Sequence, residues 1–404
     1  MTTRVALNRW GVVAAGVTIL ICLGAAYAWG VFLLPIERQT GWSRATISFA
    51  VSVLLLVFSI FMAIGGLIEK KIGPRRTAGI GGVLVGGGWL LAAFAPTPLG
   101  LYVGYGVLAG MGTGLSYMPS IASGIAWFPD KKGLVTGIIV CGFGFGTAFL
   151  SPLITTLINA QGWRTAMIVC GIFFGLIITV AAQFLKTPAA AGAVKDSGMH
   201  REAALSPRQM LMTNSFRIMF VTYFISMIAG MMTIGHLIAF MSDKKYTALQ
   251  GALALTLLSM FNGIGRIIGG YVADLWGGKK TLVLLFSAIG LAMGTLYHAE
   301  SLPVIYALSA AIGLCFGGFL AVYPALTVEY FGQRDFSVNY GLIFIGYGSG
   351  CFAGPVLGGW VHDTTKSYLG AFSCAGMLAL LASIVIHFFL KKPVATALKR
   401  QEER

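Results

Sequence analysis

The sequence predicts an all-α membrane protein, with twelve transmembrane helices in two pseudo-symmetric six-helix bundles. Three observations carry that expectation. Of its 404 residues, 57% are hydrophobic and only 10% charged, at a mean hydropathy of +0.84; a soluble domain carries about 25% charged residues. Apolar stretches long enough to cross a bilayer, about 20 residues each, recur twelve times along the chain. The two halves resemble each other at an offset of 204 residues, the mark of a parallel repeat.

Taken in order, the first-half spans fall at 9–34, 44–69, 77–95, 100–128, 133–157 and 164–185. The first is too long for a secretory signal and lacks a clear cleavage site, so it is expected to be retained. A polar, Ala/Gly-rich stretch at 187–208 follows and reads as a cytoplasmic linker. It separates an N-terminal bundle, 1–186, from a C-terminal one, 209–404. The second-half spans fall at 217–241, 251–275, 281–298, 303–330, 338–361 and 367–390. Basic residues gather in alternate turns. With both termini in the cytoplasm, 21 of the 28 Lys and Arg lie inside and six outside, the bias that orients membrane chains. That pattern accounts for the +15 net charge without nucleic acid.

The repeat has landmarks. Gly65-Gly66 before Gly73-Pro74-Arg75-Arg76 answers Gly269-Gly270 before Gly277-Gly278-Lys279-Lys280, and Gly142, Gly144 and Gly146 answer Gly346, Gly348 and Gly350. The glycines are expected at helix contacts. The six cysteines lie in apolar runs without disulfide or metal spacing and are expected to pack as small apolar residues.

One charge breaks the apolar pattern. Arg266 lies in the eighth span, while all 13 acidic residues fall in turns or near span ends. A guanidinium keeps its proton and costs roughly 3 kcal/mol or more at the bilayer centre. Asn262 and Ser259 are predicted to share its helix face. Arg266 is eight residues from Asp274, so about 12 Å in from the turn. Tyr347, Tyr117 and Phe143, counted from Asn339, Trp127 and Gly133, reach about 12–15 Å. These side chains are expected at one depth, around a small organic anion held between the halves. A membrane enzyme would need paired carboxylates, a histidine metal cluster or an activated nucleophile, and none is spaced for it. No cofactor is expected. A receptor without flux remains an open alternative.

GGYVADLWGGKKT resembles the signature G-x-x-x-D-x-x-G-[RK]-[RK] of the major facilitator superfamily, with Asp274, Lys279 and Lys280 in place. The first-half copy, GGLIEKKIGPRR, keeps Arg75 and Arg76 but has Lys70 at the aspartate position. WFPDKKGLVTG at 127–137, FNGIGR at 261–266 and NYG at 339–341 resemble the branch of the oxalate–formate antiporters and monocarboxylate transporters, over essentially the whole chain.

That resemblance implies the major facilitator fold and a secondary transporter of the bacterial inner membrane, working by alternating access. It implies that Arg266 binds the substrate, that Tyr117 is a pocket tyrosine, and that Asp274, Lys279, Lys280, Arg75 and Arg76 form the gating motif. The departures narrow the substrate. Where the oxalate carrier has a second cation stands Tyr347; its pocket glutamines become Ala26 and apolar residues among Leu55, Phe58 and Met62. Its pocket tyrosine and tryptophan in the tenth span become Leu320 and Phe316. One cation among apolar walls suits a monocarboxylate such as lactate or pyruvate, since a second carboxylate would remain unpaired at a cost of several kcal/mol. Asn262, Tyr117 and Tyr347 are expected to hydrogen-bond it, with Phe143, Cys351 and Tyr27 lining the site. Animal relatives carry an aspartate where Asn262 stands, so their proton relay does not transfer. Asp243 and His236 on the seventh span are the candidates for proton-coupled symport; pairing of Asp243 with Lys244 or Lys245 is the plainer alternative. An oxalate/formate-type exchanger is the second transport reading. The expected partners are the anion, protons and the lipid bilayer, and the expected state is a monomer.

Overall fold

A computed structural model describes residues 9–188 and 204–393, apart from the side chains of Tyr27, Arg44, Ala45, Ala148, Ala248 and Asp363. Most of the expected linker, 189–203, lies outside the described residues. The described residues are helices joined by short turns, with no strand. They form two compact units divided between His200 and Arg201.

In the first unit, α1 (Arg9–Thr40) contains a 3-10 segment, Gly24–Trp29. The long helix Arg44–Ala93 breaks at Gly73 into α2 (44–72) and α3 (74–93). α4 (98–127) passes through a π-helical segment, Tyr102–Ala109, before returning to α geometry at Gly110. The helix Lys132–Ala182 breaks at Gly162 into α5 (132–161) and α6 (163–182). In the second unit stand α7 (Asn214–Asp243), α8 (Ala248–Trp276), α9 (Gly278–Leu296), α10 (Leu302–Phe331), α11 (Phe336–Thr365) and α12 (Leu369–Phe389). Among the described residues the long helices, divided at Gly73 and Gly162, thus number twelve, consistent with the apolar runs.

Hydroxyl caps set the starts. Ser43, Thr97 and Thr213 accept from the backbone N–H three residues on, and Thr247 with Gln250 forms a capping box at α8. Each cap satisfies one of the four orphan donors of a helix start. A short helix, Pro207–Leu211, opens with a second capping box, Ser206 with Gln209. Its first two residues were expected within the linker, yet its approach is tied to the second unit. Leu205 N–H donates to the Phe331 carbonyl (2.9 Å), and Asn339 Nδ2 donates to the Leu205 carbonyl (3.1 Å). Outward faces stay apolar, with Val83, Leu176, Trp360, Phe388 and Phe389 more than half exposed, as for helices solvated by lipid.

The repeat is written into the backbone. Positive φ occurs at Gly41, Gly73 and Gly162, and again 204 residues on at Lys245, Gly277 and Lys366. Three turns therefore keep one geometry in both units, even where a lysine must accept a conformation costing roughly 1–2 kcal/mol. Helix contacts repeat too. Gly142 and Gly146 of α5 abut the carbonyls of Val17 and Ile21 on α1; Gly346 and Gly350 of α11 abut those of Phe220 and Phe224 on α7. Gly110 and Gly114 of α4 face the Leu54 and Phe58 carbonyls of α2. Gly313 and Gly317 of α10 face the Leu258 and Asn262 carbonyls of α8. Close backbone approach through small residues is how membrane helices associate.

Candidate functional site

In the second unit α8 is seated on α10 through glycines. A methyl group at Gly265 would strike the Leu314 carbonyl, and one at Gly317 would strike the carbonyl of Asn262. This contact fixes the turn of α8 that carries the polar pair. Arg266 is 1% exposed and Asn262 7%. Arg266 Nη2 donates to Asn262 Oδ1 at 2.9 Å, the i,i+4 contact that helix geometry allows. The Oδ1 is thereby committed, and Asn262 Nδ2 has no hydrogen-bond partner among the described residues. A buried donor in that state costs about 1–3 kcal/mol. The acids Asp243, Asp274, Glu329 and Asp335 stand at or near helix ends, as expected. Ser259 does not join the pair: it is exposed, because the buried stripe of α8 drifts around the helix over seven residues.

Tyr347 of α11 is buried against an aromatic column. Its ring stacks on Phe344 at 4.1 Å, and Tyr223 of α7 lies 5.9 Å away. Cys351, one turn on, shares a hydrogen bond with Tyr347. Tyr223 stacks at 4.0 Å on Tyr323 of α10 and its hydroxyl meets that of Tyr340 at 3.2 Å. Tyr323 donates to Thr222 Oγ1 at 2.8 Å. Sequence reasoning missed Tyr223, Tyr323 and Tyr340. The spacing Phe336, Tyr340, Phe344, Tyr347 along one face of α11 was a visible signal, but the partners on α7 and α10 depend on register between helices. Phe316 and Leu320 of α10 are both buried, and the Phe316 ring lies directly over Gly230 of α7.

In the first unit Tyr117 of α4, Phe143 of α5 and Phe58 of α2 form a three-ring cluster. Its centroids are 5.2 Å (Phe58–Tyr117), 5.8 Å (Tyr117–Phe143) and 6.2 Å (Phe58–Phe143) apart. The side chain of Tyr27 lies outside the described residues. The repeat relates these groups to those of the second unit. Phe143 corresponds to Tyr347, Phe58 to Asn262 and Met62 to Arg266, all at 204 residues. The glycine contacts place Tyr117 opposite Leu320. At three of these pairs the first unit is apolar where the second is polar or cationic; Tyr117 and Leu320 run the other way.

The proton-coupling candidates are arranged differently from the expectation. Asp243 Oδ2 pairs with His362 Nε2 of α11 at 3.2 Å. Lys244 instead donates to the Ala299 carbonyl at 2.9 Å. His236 Nε2 is 2.8 Å from the Pro355 carbonyl, so it donates, and Nδ1 accepts from the Tyr368 hydroxyl at 3.2 Å in the neutral ring. Tyr368 also stacks on His362 at 4.4 Å. His236 and Asp243 are therefore linked through Tyr368 and His362 rather than directly. His362 meets Asp243 across helices, which no local pattern in the sequence places together.

At the residues expected to gate, Gly277 makes the turn between α8 and α9 at φ 86°, as Gly73 does between α2 and α3 at φ 82°. Asp274 and Lys280 are exposed there, and Lys279 is half-buried. Arg75 Nε donates to the Leu185 carbonyl at 3.3 Å, and Arg76 is exposed.

Residues 14–299 and 219–404 match the profile described as Major Facilitator Superfamily. The chain is 26% identical over 403 residues to the oxalate:formate antiporter of Oxalobacter formigenes, covering 98% of this chain and 96% of that protein. It is 25% identical over 401 residues to monocarboxylate transporter 13 of Rattus norvegicus, covering 94% and 90%. To apicoplast pyruvate carrier 1 of Toxoplasma gondii it is 25% identical over 446 residues, covering 83% and 81%. Among solved structures, the fucose:proton symporter of Escherichia coli matches with a TM-score of 0.72 at 16% identity, covering 94% and 98%.

Proposed function

Because the chain belongs to the major facilitator superfamily, we propose that it is a secondary transporter of small monocarboxylates, of the size of lactate or pyruvate, working by alternating access. The observation that carries this reading is the pair on α8. A buried guanidinium donates to the Asn262 amide oxygen, and the same amide presents a donor that a carboxylate oxygen would satisfy. Tyr347 and Cys351 supply further polar contacts, and Phe316 and Leu320 an apolar wall. Tyr117, Phe143 and Tyr27 are assigned to the apolar body of the substrate. Met62, Phe58 and Phe143 standing where the second unit has Arg266, Asn262 and Tyr347 favours one charged end and one apolar end, and so a monocarboxylate over oxalate. The names of the relatives, an oxalate:formate antiporter, a monocarboxylate transporter and a pyruvate carrier, support small carboxylates as the class.

Coupling to protons is assigned to the linked groups His236, Tyr368, His362 and Asp243. The experiment is uptake of labelled lactate, pyruvate, formate and oxalate into vesicles. Arg266→Ala is expected to abolish saturable lactate uptake, and undiminished saturable uptake by that variant sinks the proposal. Exchange is the second reading, favoured by the similarity to the oxalate:formate antiporter. Lactate efflux that requires external anion, and ignores a protonophore, would select it.

A further inference from the structure

At the end of α3 nearest the basic turn, a groove of about 440 Å³ opens between α3 and α6. Arg75, Arg76, Gly79, Thr179 and Gln183 are among the residues that line it. Its volume falls in the ordinary range for ligand pockets. Deeper along the helices the two backbones touch, Gly82 against Ile178 and Thr179, and Gly86 against Gly171 and Gly175. Toward the turn they leave space. The mouth carries two guanidinium groups; Arg75 uses its Nε on the Leu185 carbonyl and keeps its Nη donors. Below them Ile80, Val83 and Leu84 continue one face of α3, and Ile80 and Val83 are among the outward-exposed apolar residues.

The second unit shows why the groove exists. Thr179 Oγ1 donates to the Gly79 carbonyl at 3.5 Å; 204 residues on, Ser383 Oγ donates to the Val283 carbonyl at 2.9 Å. The same helix contact is made in both units, but where α9 has a valine α3 has a glycine. A Cβ built at Gly79 would meet only Gln183 Nε2, at 3.9 Å. No backbone contact demands a glycine there. What the missing side chain leaves is space under a pair of arginines.

We propose that this groove is a binding site for an anionic phospholipid. Arg75 and Arg76 take the phosphate, and one acyl chain lies over Gly79 along Ile80, Val83 and Leu84. The charge at the mouth selects an acidic headgroup, and the apolar floor selects a lipid over a free phosphate. Basic pockets between membrane helices are suited to such headgroups.

The test uses the full chain, delipidated in a neutral detergent and titrated with phosphatidylglycerol, with phosphatidylcholine, or with glycerol 3-phosphate. Bound lipid phosphorus and the thermal unfolding midpoint are both followed. Phosphatidylglycerol is expected to give a saturable rise in midpoint and in retained phosphorus, as a ligand of the native state does. Arg76→Gln should raise the half-saturating concentration about fivefold. Gly79→Val, which copies the side chain of the second unit into open space, should remove the saturable step while the variant stays folded. An equal response to phosphatidylcholine overturns the proposal, as does a full response to glycerol 3-phosphate. So does an unchanged phosphatidylglycerol titration in Gly79→Val, which decides the matter even if the arginine variant fails to fold.

Discussion

Arg266 and Asn262 show what one neutral side chain does for a buried cation. The amide oxygen fixes the guanidinium at 2.9 Å without cancelling its charge, so the cation is oriented and still attractive to an anion. An acid in the same place would hold it equally well and quench it. Asn262→Asp is therefore expected to raise the lactate KM about tenfold, roughly 1.4 kcal/mol of binding, with the protein still folded; a KM unchanged or lowered would show that the arginine is not the anion's partner. This pair was legible in the sequence because both members lie on one helix, four residues apart, where periodicity alone places them together. Tyr223, Tyr323 and His362 were not legible. Each meets its partners across helices, and which residues face each other there depends on axial register, which no local pattern encodes.

Elements are positioned by close backbone contacts as much as by side chains. At the seam between α8 and α10, a methyl group on Gly317 would collide with the Asn262 carbonyl. Gly317→Ala should push the helices apart at about 1–3 kcal/mol, lowering the unfolding midpoint and raising the lactate KM together, because the displaced turn carries the polar pair. Gly87→Ala, whose added carbon meets nothing within 4 Å, is the control and should leave both unchanged. Parity between the two variants would refute the seam's role. Element existence was readable from apolar length, and the glycine landmarks of α5 and α11 pointed correctly to packing. The breaks at Gly73 and Gly162 fall in the turns expected between spans; the short helix Pro207–Leu211 was not readable. It depends on docking to Phe331 and Asn339, contacts remote in sequence.

At the scale of the molecule, duplication supplied two similar bundles and side-chain divergence gave them different chemistry. Arg266 answers Met62, and His362, which has no histidine counterpart, answers Ile158. If the groups around His362 carry the transported proton, His362→Gln should abolish the stimulation of lactate uptake by external acid. An acid stimulation preserved in both His362→Gln and His236→Gln would place the proton elsewhere. The two bundles also differ by a single residue of phase. The caps Thr97 and Ser301 are 204 residues apart, yet beyond the π segment Gly110 and Gly114 match Gly313 and Gly317 at 203. Between those landmarks α4 contains one more residue than α10, and a π turn is the winding that takes up one extra residue in a helix. On a screw thread such an addition would rotate everything beyond it by about 100°, carrying Tyr117 away from Phe58 and Phe143. The wider winding at 102–109 cancels that rotation. Deleting Val103, 42% exposed within this segment, should therefore be tolerated, with α4 relaxing to uniform pitch and transport retained. A one-residue deletion in the uninterrupted α10 should misalign its glycines and abolish uptake.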